Sequence, residues 1–467
     1  MPVRLSKFAV DATCAEYSHP WTSSCISSNA GLGLHSLEES LRIYTTLYLF
    51  ALLMKRKKPT KEDIKKTILG ILQSTAFLAW SGFSYSLFIC CLSRLLGHLN
   101  ILTVSYVPSF LSSLTAILIE RPSRRPLLCL YVANVATETL FRMGVWRGYF
   151  SPIPKGEVYI FAVSAAVLLY FFRSKVNKQD SIYKILRLII GPYEETEYAV
   201  KKDSHSKASF ESVEDNSIEE NNDIRKKCKK NKFSILQKSF ETYKYLINIL
   251  KARSRHASCP HPYSCAHYIL TGSARAFSYG IGGQLALQLI LQFKKLLRNP
   301  KLIKTTILRR ENLNLAIFLG GCSGLFRVIS CLLRRTFHKD SHIYAIPAGF
   351  IASMAFMTYP SNVIALYFMW KALQLLWNDA VESGKVPEVK WFMILWYCLS
   401  TALLFHAAII EPQNLRSSYF KFLYNMSGGR IAVMSRIPLD MFGLESSKNL
   451  KEVLRKTHLT DQISYSF

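Results

Sequence analysis

Four stretches of the chain run for about the thickness of a membrane without a charged residue. Ile68 to Ser93 covers 26 positions, His98 to Ile119 covers 22, Ser341 to Trp370 covers 30 and Trp391 to Ile410 covers 20. At about 1.5 Å per helical residue, each can cross roughly 30 Å of hydrocarbon. A soluble helical core would carry a charged face along such segments, and none is present here. With the neighbouring apolar pieces included, each half of the chain offers four spans. They lie near 68–92, 99–119, 126–142 and 157–172, then near 313–333, 343–358, 360–377 and 391–410. A more polar helix precedes each set. The first, 34–54, carries Glu38, Glu39 and Arg42 at its start, and the second, 268–293, has Gln284, Gln288 and Gln292 four apart on one face. The expected fold is all-α: a polytopic membrane helix bundle built from two pseudo-repeats of about four spans, each preceded by an amphipathic helix.

The halves align at a separation of 235 to 241 residues. Phe77-Leu78 meets Phe318-Leu319, Cys90 meets Cys331, and Pro122-Ser123 meets Pro360-Ser361. Tyr131, Ala136, Leu140 and Phe141 meet Tyr367, Ala372, Leu376 and Trp377, and Ser181-x-Tyr183 meets Ser417-x-Tyr419. The expected organisation is a Cys/His-containing segment (1–33), a first membrane repeat (34–193), a charged insert (194–258), a second repeat (259–425) and a tail (426–467).

Charge sharpens this reading. Half the residues are hydrophobic, yet Lys and Arg outnumber Asp and Glu by 59 to 31, and the basic residues cluster between spans. Lys55 to Lys66 and Lys294 to Arg310 hold seven each, and Arg225 to Arg255 holds eleven. Eight spans place all of these on one side, as the positive-inside tendency favours, so the termini and insert are expected in the cytosol. The lipid bilayer, not nucleic acid, is the expected partner of this charge. Within the insert, Phe233, Leu236, Phe240, Tyr243, Ile247 and Leu250 recur at helical spacing, with Lys238, Lys244 and Lys251 off the stripe. Such a helix suits an anionic membrane surface or a docking partner. The first dozen residues do not read as a cleaved signal, so targeting is expected to be internal.

Few residues point to chemistry. Glu138 and Arg142 stand i, i+4 in the favourable order, as either a polar track or a structural lock near the membrane boundary. Gly320 and Gly324 in "GGCSG" put small residues four apart, which favours close helix packing within the bundle or between copies in a homo-oligomer. Six of the eleven cysteines, Cys90 and Cys331 among them, lie in apolar runs and read as packing. Two polar segments, "CAEYSHPWTSSC" and "CPHPYSCAH", share His-Pro-aromatic followed by Cys. Cys14, His19, Cys25, Cys259, His261, Cys265 and His267 would supply one zinc site if the two segments met. Disulfide or packing roles are the alternatives. The sequence carries no HExxH, GxSxG, phosphate-loop or dinucleotide motif, so no enzyme and no further cofactor is expected.

The chain resembles the transmembrane protein 135 family. The resemblance rests on "SLEESLRIY" (36–44), "AILIERPSRRPLLCLYVANVATETLFRMG" (116–144), "ESGKVP" (382–387) and "GRIAVMSRIPLDMFG" (429–443). That family is related to small peroxisomal membrane proteins and, distantly, to channel subunits of the mitochondrial inner-membrane import translocase. The resemblance implies a multi-pass protein of mitochondrial and peroxisomal membranes. It would promote mitochondrial fission through a dynamin-related GTPase and influence peroxisomal organisation and lipid metabolism. The rival expectation is a transporter or conduit for lipids or other metabolites, with its path between the halves.

Overall fold

A computed structural model describes residues 9–10, 12–54, 59–174, 180–195, 242, 245, 247–252, 255–298 and 311–463. Of the insert stripe, Phe233, Leu236, Lys238, Phe240, Tyr243 and Lys244 lie outside these residues. Ile247 and Lys251 are helical, and the Lys251 ammonium stands 5.0 Å over the Tyr263 ring. The described chain is helical apart from a two-residue antiparallel pairing of β1 (Ala9–Val10) with β2 (Leu99–Asn100).

The chain forms two units. One comprises residues 1–152 and 383–467, the other residues 153–382. In the discontinuous unit, α1 (Cys14–Ser18) leads into α2 (Cys25–Met54), which packs on α3 (Lys61–Leu96). The start of α3 is set by a capping box: Thr60 accepts from the Asp63 amide and Asp63 returns the bond. Gly97, at φ +70°, ends it. Then α4 (Tyr106–Ile119) packs on α3, while α5 (Arg125–Trp146) completes the amino-terminal part.

The continuous unit begins with α6 (Gly156–Ser174) and α7 (Ser181–Ile190), continues with α8 (Cys265–Arg298) packed on α9 (Glu311–Phe337), and adds α10 (Ala345–Ala352) and α11 (Asn362–Glu382) around α6. The chain then returns to the first unit. There α12 (Phe392–Ile410) packs on α4 and α5, and α13 (Ser417–Met426), α14 (Arg430–Val433) and α15 (Ser446–Thr457) close it.

The offset read from the sequence recurs in the bounds of these elements. α6 and α12 are both 19 residues long and begin 236 residues apart, and the 10-residue helices α7 and α13 begin 236 apart. The compact units nevertheless cut across the sequence halves. The α6–α7 pair of the first half belongs to the continuous unit, while its counterpart α12–α13 belongs to the discontinuous one.

Four helices among the described residues are long and apolar enough to cross a membrane: α3, α6, α9 and α12. The apolar pattern of the sequence predicted eight. The run after His98 spends its first residues on β2 and a turn, leaving 14 residues for α4, or about 21 Å of rise. The run after Ser341 breaks into α10 and a 3-10 stretch (Ser353–Thr358) ahead of Pro360, because the residue preceding proline is pushed out of the helical region. α5 and α11 are long enough but carry Glu138 and Arg142, and Lys371 and Asp379. The faces turned from the cores stay apolar: Ile68, Leu69 and Leu72 on α3 and Leu325, Val328 and Leu332 on α9 are exposed, as lipid-facing residues would be.

Candidate metal centres

Each unit gathers three cysteines and a histidine whose ligand atoms lie within 4.8 Å of one another. In the discontinuous unit they are Cys14, His19, Cys25 and Cys90. Cys14 opens α1, whose start is held by a Thr13–Glu16 capping box; His19 caps its end; Cys25 opens α2; and Cys90 comes from α3. The Cys14 and Cys25 sulfurs are 3.7 Å apart. His19 is fully buried and donates from Nδ1 to the Thr22 carbonyl at 2.8 Å, while its Nε2 has no hydrogen-bond partner.

The continuous unit repeats this plan. Cys259 and His261 lie in the loop before α8, Cys265 opens α8, and Cys331 comes from α9. His261 is also fully buried and donates from Nδ1 to a carbonyl, that of Tyr263, at 2.6 Å. Its Nε2 lies 3.6 Å from the Cys331 sulfur, and the Cys259 and Cys265 sulfurs are 3.9 Å apart. A hydrogen bond from Cys331 holds the Cys259 thiol well below its ordinary range.

These distances suit tetrahedral coordination. A zinc ion about 2.3 Å from sulfur and about 2.0 Å from nitrogen sets S···S edges near ~3.8 Å and S···N edges near ~3.5 Å. A backbone carbonyl on Nδ1 fixes the tautomer that leaves Nε2 free to ligate. The four residues of each cluster can therefore hold a metal ion. All eight side chains carry free thiols or imidazoles, with no disulfide between them.

The one site that the two segments would have shared had they met gives way to two separate candidate clusters. Each polar segment stays with its own unit, and a long helix supplies the fourth ligand. Cys90 and Cys331, read as packing because their neighbours are uncharged, are the residues that could serve as those ligands; their matched positions in the two halves were the available signal. His267 stands apart, bonded through Nε2 to Thr271 at 3.3 Å.

Buried ion pairs form the second constellation. Glu138 is 8% exposed and pairs with Arg142 at 2.5 Å and also with Arg416, a partner 278 residues away that helical spacing does not reveal. Glu411 pairs with Arg147 and accepts from Asn414 at 2.8 Å. In the continuous unit, Glu194 has a fully buried side chain and takes both terminal nitrogens of Arg334, at 2.9 and 2.5 Å, with Arg173 at 3.6 Å. Asp340 bridges the same two arginines, and Lys371 pairs with Asp180 at 2.5 Å. Gly320 and Gly324 face Phe277 and Ser273 of α8, inside one unit.

Residues 11–145 match the family model described as the N-terminal cysteine-rich region of Transmembrane protein 135, a stretch that contains the whole first cluster. No solved structure matches the chain.

Proposed function

Because the chain belongs, through its cysteine-rich region, to the Transmembrane protein 135 family, we propose that it is a non-enzymatic multi-pass protein of mitochondrial and peroxisomal membranes. In this reading it promotes dynamin-related fission and influences peroxisome organisation and lipid metabolism. The observation that carries the reading is the pair of spanning-length helices in each unit, one of each pair, α3 or α9, joined to a polar segment by a Cys/His cluster. Such a body holds soluble segments against a membrane and needs no reaction centre. Zinc is the metal that the cysteine-rich ligand sets suit. The basic stripe between Arg225 and Arg255 is the cytosolic docking surface. Deleting residues 225–255 is expected to abolish recruitment of the fission GTPase while leaving membrane insertion intact, and normal recruitment refutes the assignment. Imaging of the tagged protein beside mitochondrial and peroxisomal markers tests the location.

A second reading, a conduit for lipids or other metabolites, draws on the buried Glu138–Arg142–Arg416 group. Charges inside apolar helices commonly mark a substrate path. Purified protein in liposomes should then carry a flux that Glu138→Gln alters; unchanged flux, or none, counts against the conduit.

A further inference from the structure

The continuous unit holds a cavity of about 210 Å³ between α7, the loop at 261–263, α8 and α9. Three arginines line it, Arg187, Arg275 and Arg327, and no Asp or Glu does. Arg187 has a partner in Glu195 at 3.6 Å. Neither Arg275 nor Arg327 has a carboxylate partner among the described residues.

Arg327 is the anomaly. It lies on a helix long and apolar enough to cross a membrane and is 4% exposed. Arg334, two turns further along α9, has Glu194 and Asp340 to neutralise it, whereas Arg327 has only neutral contacts. Its guanidinium donates to Ser323 and to the Ile190 carbonyl and stacks 4.9 Å over the Tyr268 ring, and its Nε has no partner. The backbone makes room for it: a Cβ on Gly272 would stand 2.0 Å from the guanidinium carbon, and one on Gly191, already at φ +98°, 3.1 Å from a terminal nitrogen. A buried cation without a counter-ion is costly, so a cradle that holds one beside a cavity implies an anion supplied from outside.

The repeat provides an internal control. The discontinuous unit has a cavity of about 70 Å³ at the corresponding place, likewise beside its Cys/His cluster. At separations of 236 to 242 residues, Arg327 corresponds to Ser86, Arg187 to Leu423, Gly272 to Leu32 and Tyr263 to Trp21, and each of these counterparts lines the smaller cavity. One copy is shrunken and mostly apolar. The other is enlarged and cationic.

We propose that the cavity of the continuous unit binds a phosphate group, with Arg327 and Arg275 as its charge partners. Two arginines without a carboxylate partner among the described residues match the double charge of a phosphomonoester better than the single charge of a carboxylate. The arginine fork pairs with phosphate oxygens in two-point contacts, and the tyrosines around it add neutral donors. The same chemistry is presented by free phosphate and by the headgroup of phosphatidic acid.

The test uses the full chain purified in dodecyl maltoside, a detergent without phosphate. It is titrated calorimetrically with inorganic phosphate and, separately, with dioctanoyl phosphatidic acid, with dioctanoyl phosphatidylcholine as the control. Saturable binding of at least one of the first two is expected, weakened tenfold or more in Arg327→Ser, which installs the first unit's residue, and in Arg275→Gln. Arg335→Gln, an exposed arginine of α9 outside the cavity, should bind as wild type does. Binding of both probes assigns the site to the phosphate group itself, and binding of phosphatidic acid alone assigns it to the lipid headgroup. Because the buried Arg327 variant can lose its fold, the exposed Arg275→Gln variant is decisive. Wild type that binds neither probe, or binds phosphatidylcholine equally well, overturns the proposal, as does Arg275→Gln with undiminished affinity.

Discussion

Replacing Glu194 by Gln keeps the shape of the side chain and removes its charge from a site with no access to water. Burial alone would raise the carboxyl, but the Arg334 and Arg173 guanidiniums outweigh it and hold the group down at about 2, against an ordinary 4.5. By linkage, that difference contributes about 3 kcal/mol to stability at neutral pH. Breaking a buried pair from one side costs about 3–5 kcal/mol, which agrees, because Arg173 and Arg334 would lose their fully buried carboxylate and keep the half-exposed Asp340. For a unit of this size, a loss of about 3 kcal/mol lowers the melting temperature by roughly 6–12 °C. The assay is thermal unfolding of a fluorescent fusion in detergent, read by size-exclusion chromatography at pH 7 and again at pH 4. The folded-state carboxyl is depressed, so its contribution is complete above about 4.5 and fades as pH falls towards 2; roughly 1 kcal/mol should already be gone at pH 4. The gap between wild type and variant should therefore narrow on acidification. A variant melting within about 2 °C of wild type at pH 7 would refute the idea that this pair holds the unit together.

Three further outcomes are expected. Metal analysis of the purified chain should find two zinc ions, with Cys90→Ser and Cys331→Ser each retaining one and the double variant none; full zinc content in either single variant removes that cysteine from the ligand set. Gly280→Ala should destabilise by about 1–3 kcal/mol, because its Cβ would stand 2.4 Å from the Ala316 Cα where α8 crosses α9, and thermal unfolding against wild type measures it. Gly282→Ala, which meets nothing within 4 Å, should instead be neutral or stabilise by up to about 1 kcal/mol through helix propensity in the same measurement.

Local signals identified the helices and the repeat but not how they assemble. The turn chemistry at Thr60 and Gly97, the uncharged runs and the matched Ser181 and Ser417 are properties of neighbouring residues, and they mark the ends and lengths of helices well. Which copy of the fourth long helix completes which unit is different. α6 and α12 are alike in length and apolar pattern, so sequence pattern leaves the two pairings nearly degenerate, and only tertiary packing chooses. The ligands divide in the same way. Cys14, His19 and Cys25 stand out because their surroundings are polar, whereas Cys90 is camouflaged by apolar neighbours and declares itself only when α3 brings it back to the segment. Arg416 and Arg327 carry no local signal for a related reason: one acts across 278 residues, and the other lies three residues beyond a glycine motif whose packing meaning is sufficient by itself.

The exchanged helices impose an order on how the protein is made. The continuous unit can close as soon as α11 leaves the ribosome, with every partner already synthesised. The other must wait: α4 and α5 are produced early, yet the helix that covers them begins at Phe392. Throughout that interval their bare flanks need a substitute, whether lipid or an insertion chaperone. A ribosome stalled before that point would release a nascent product with one finished module and one unsheltered one, an obvious mark for quality control.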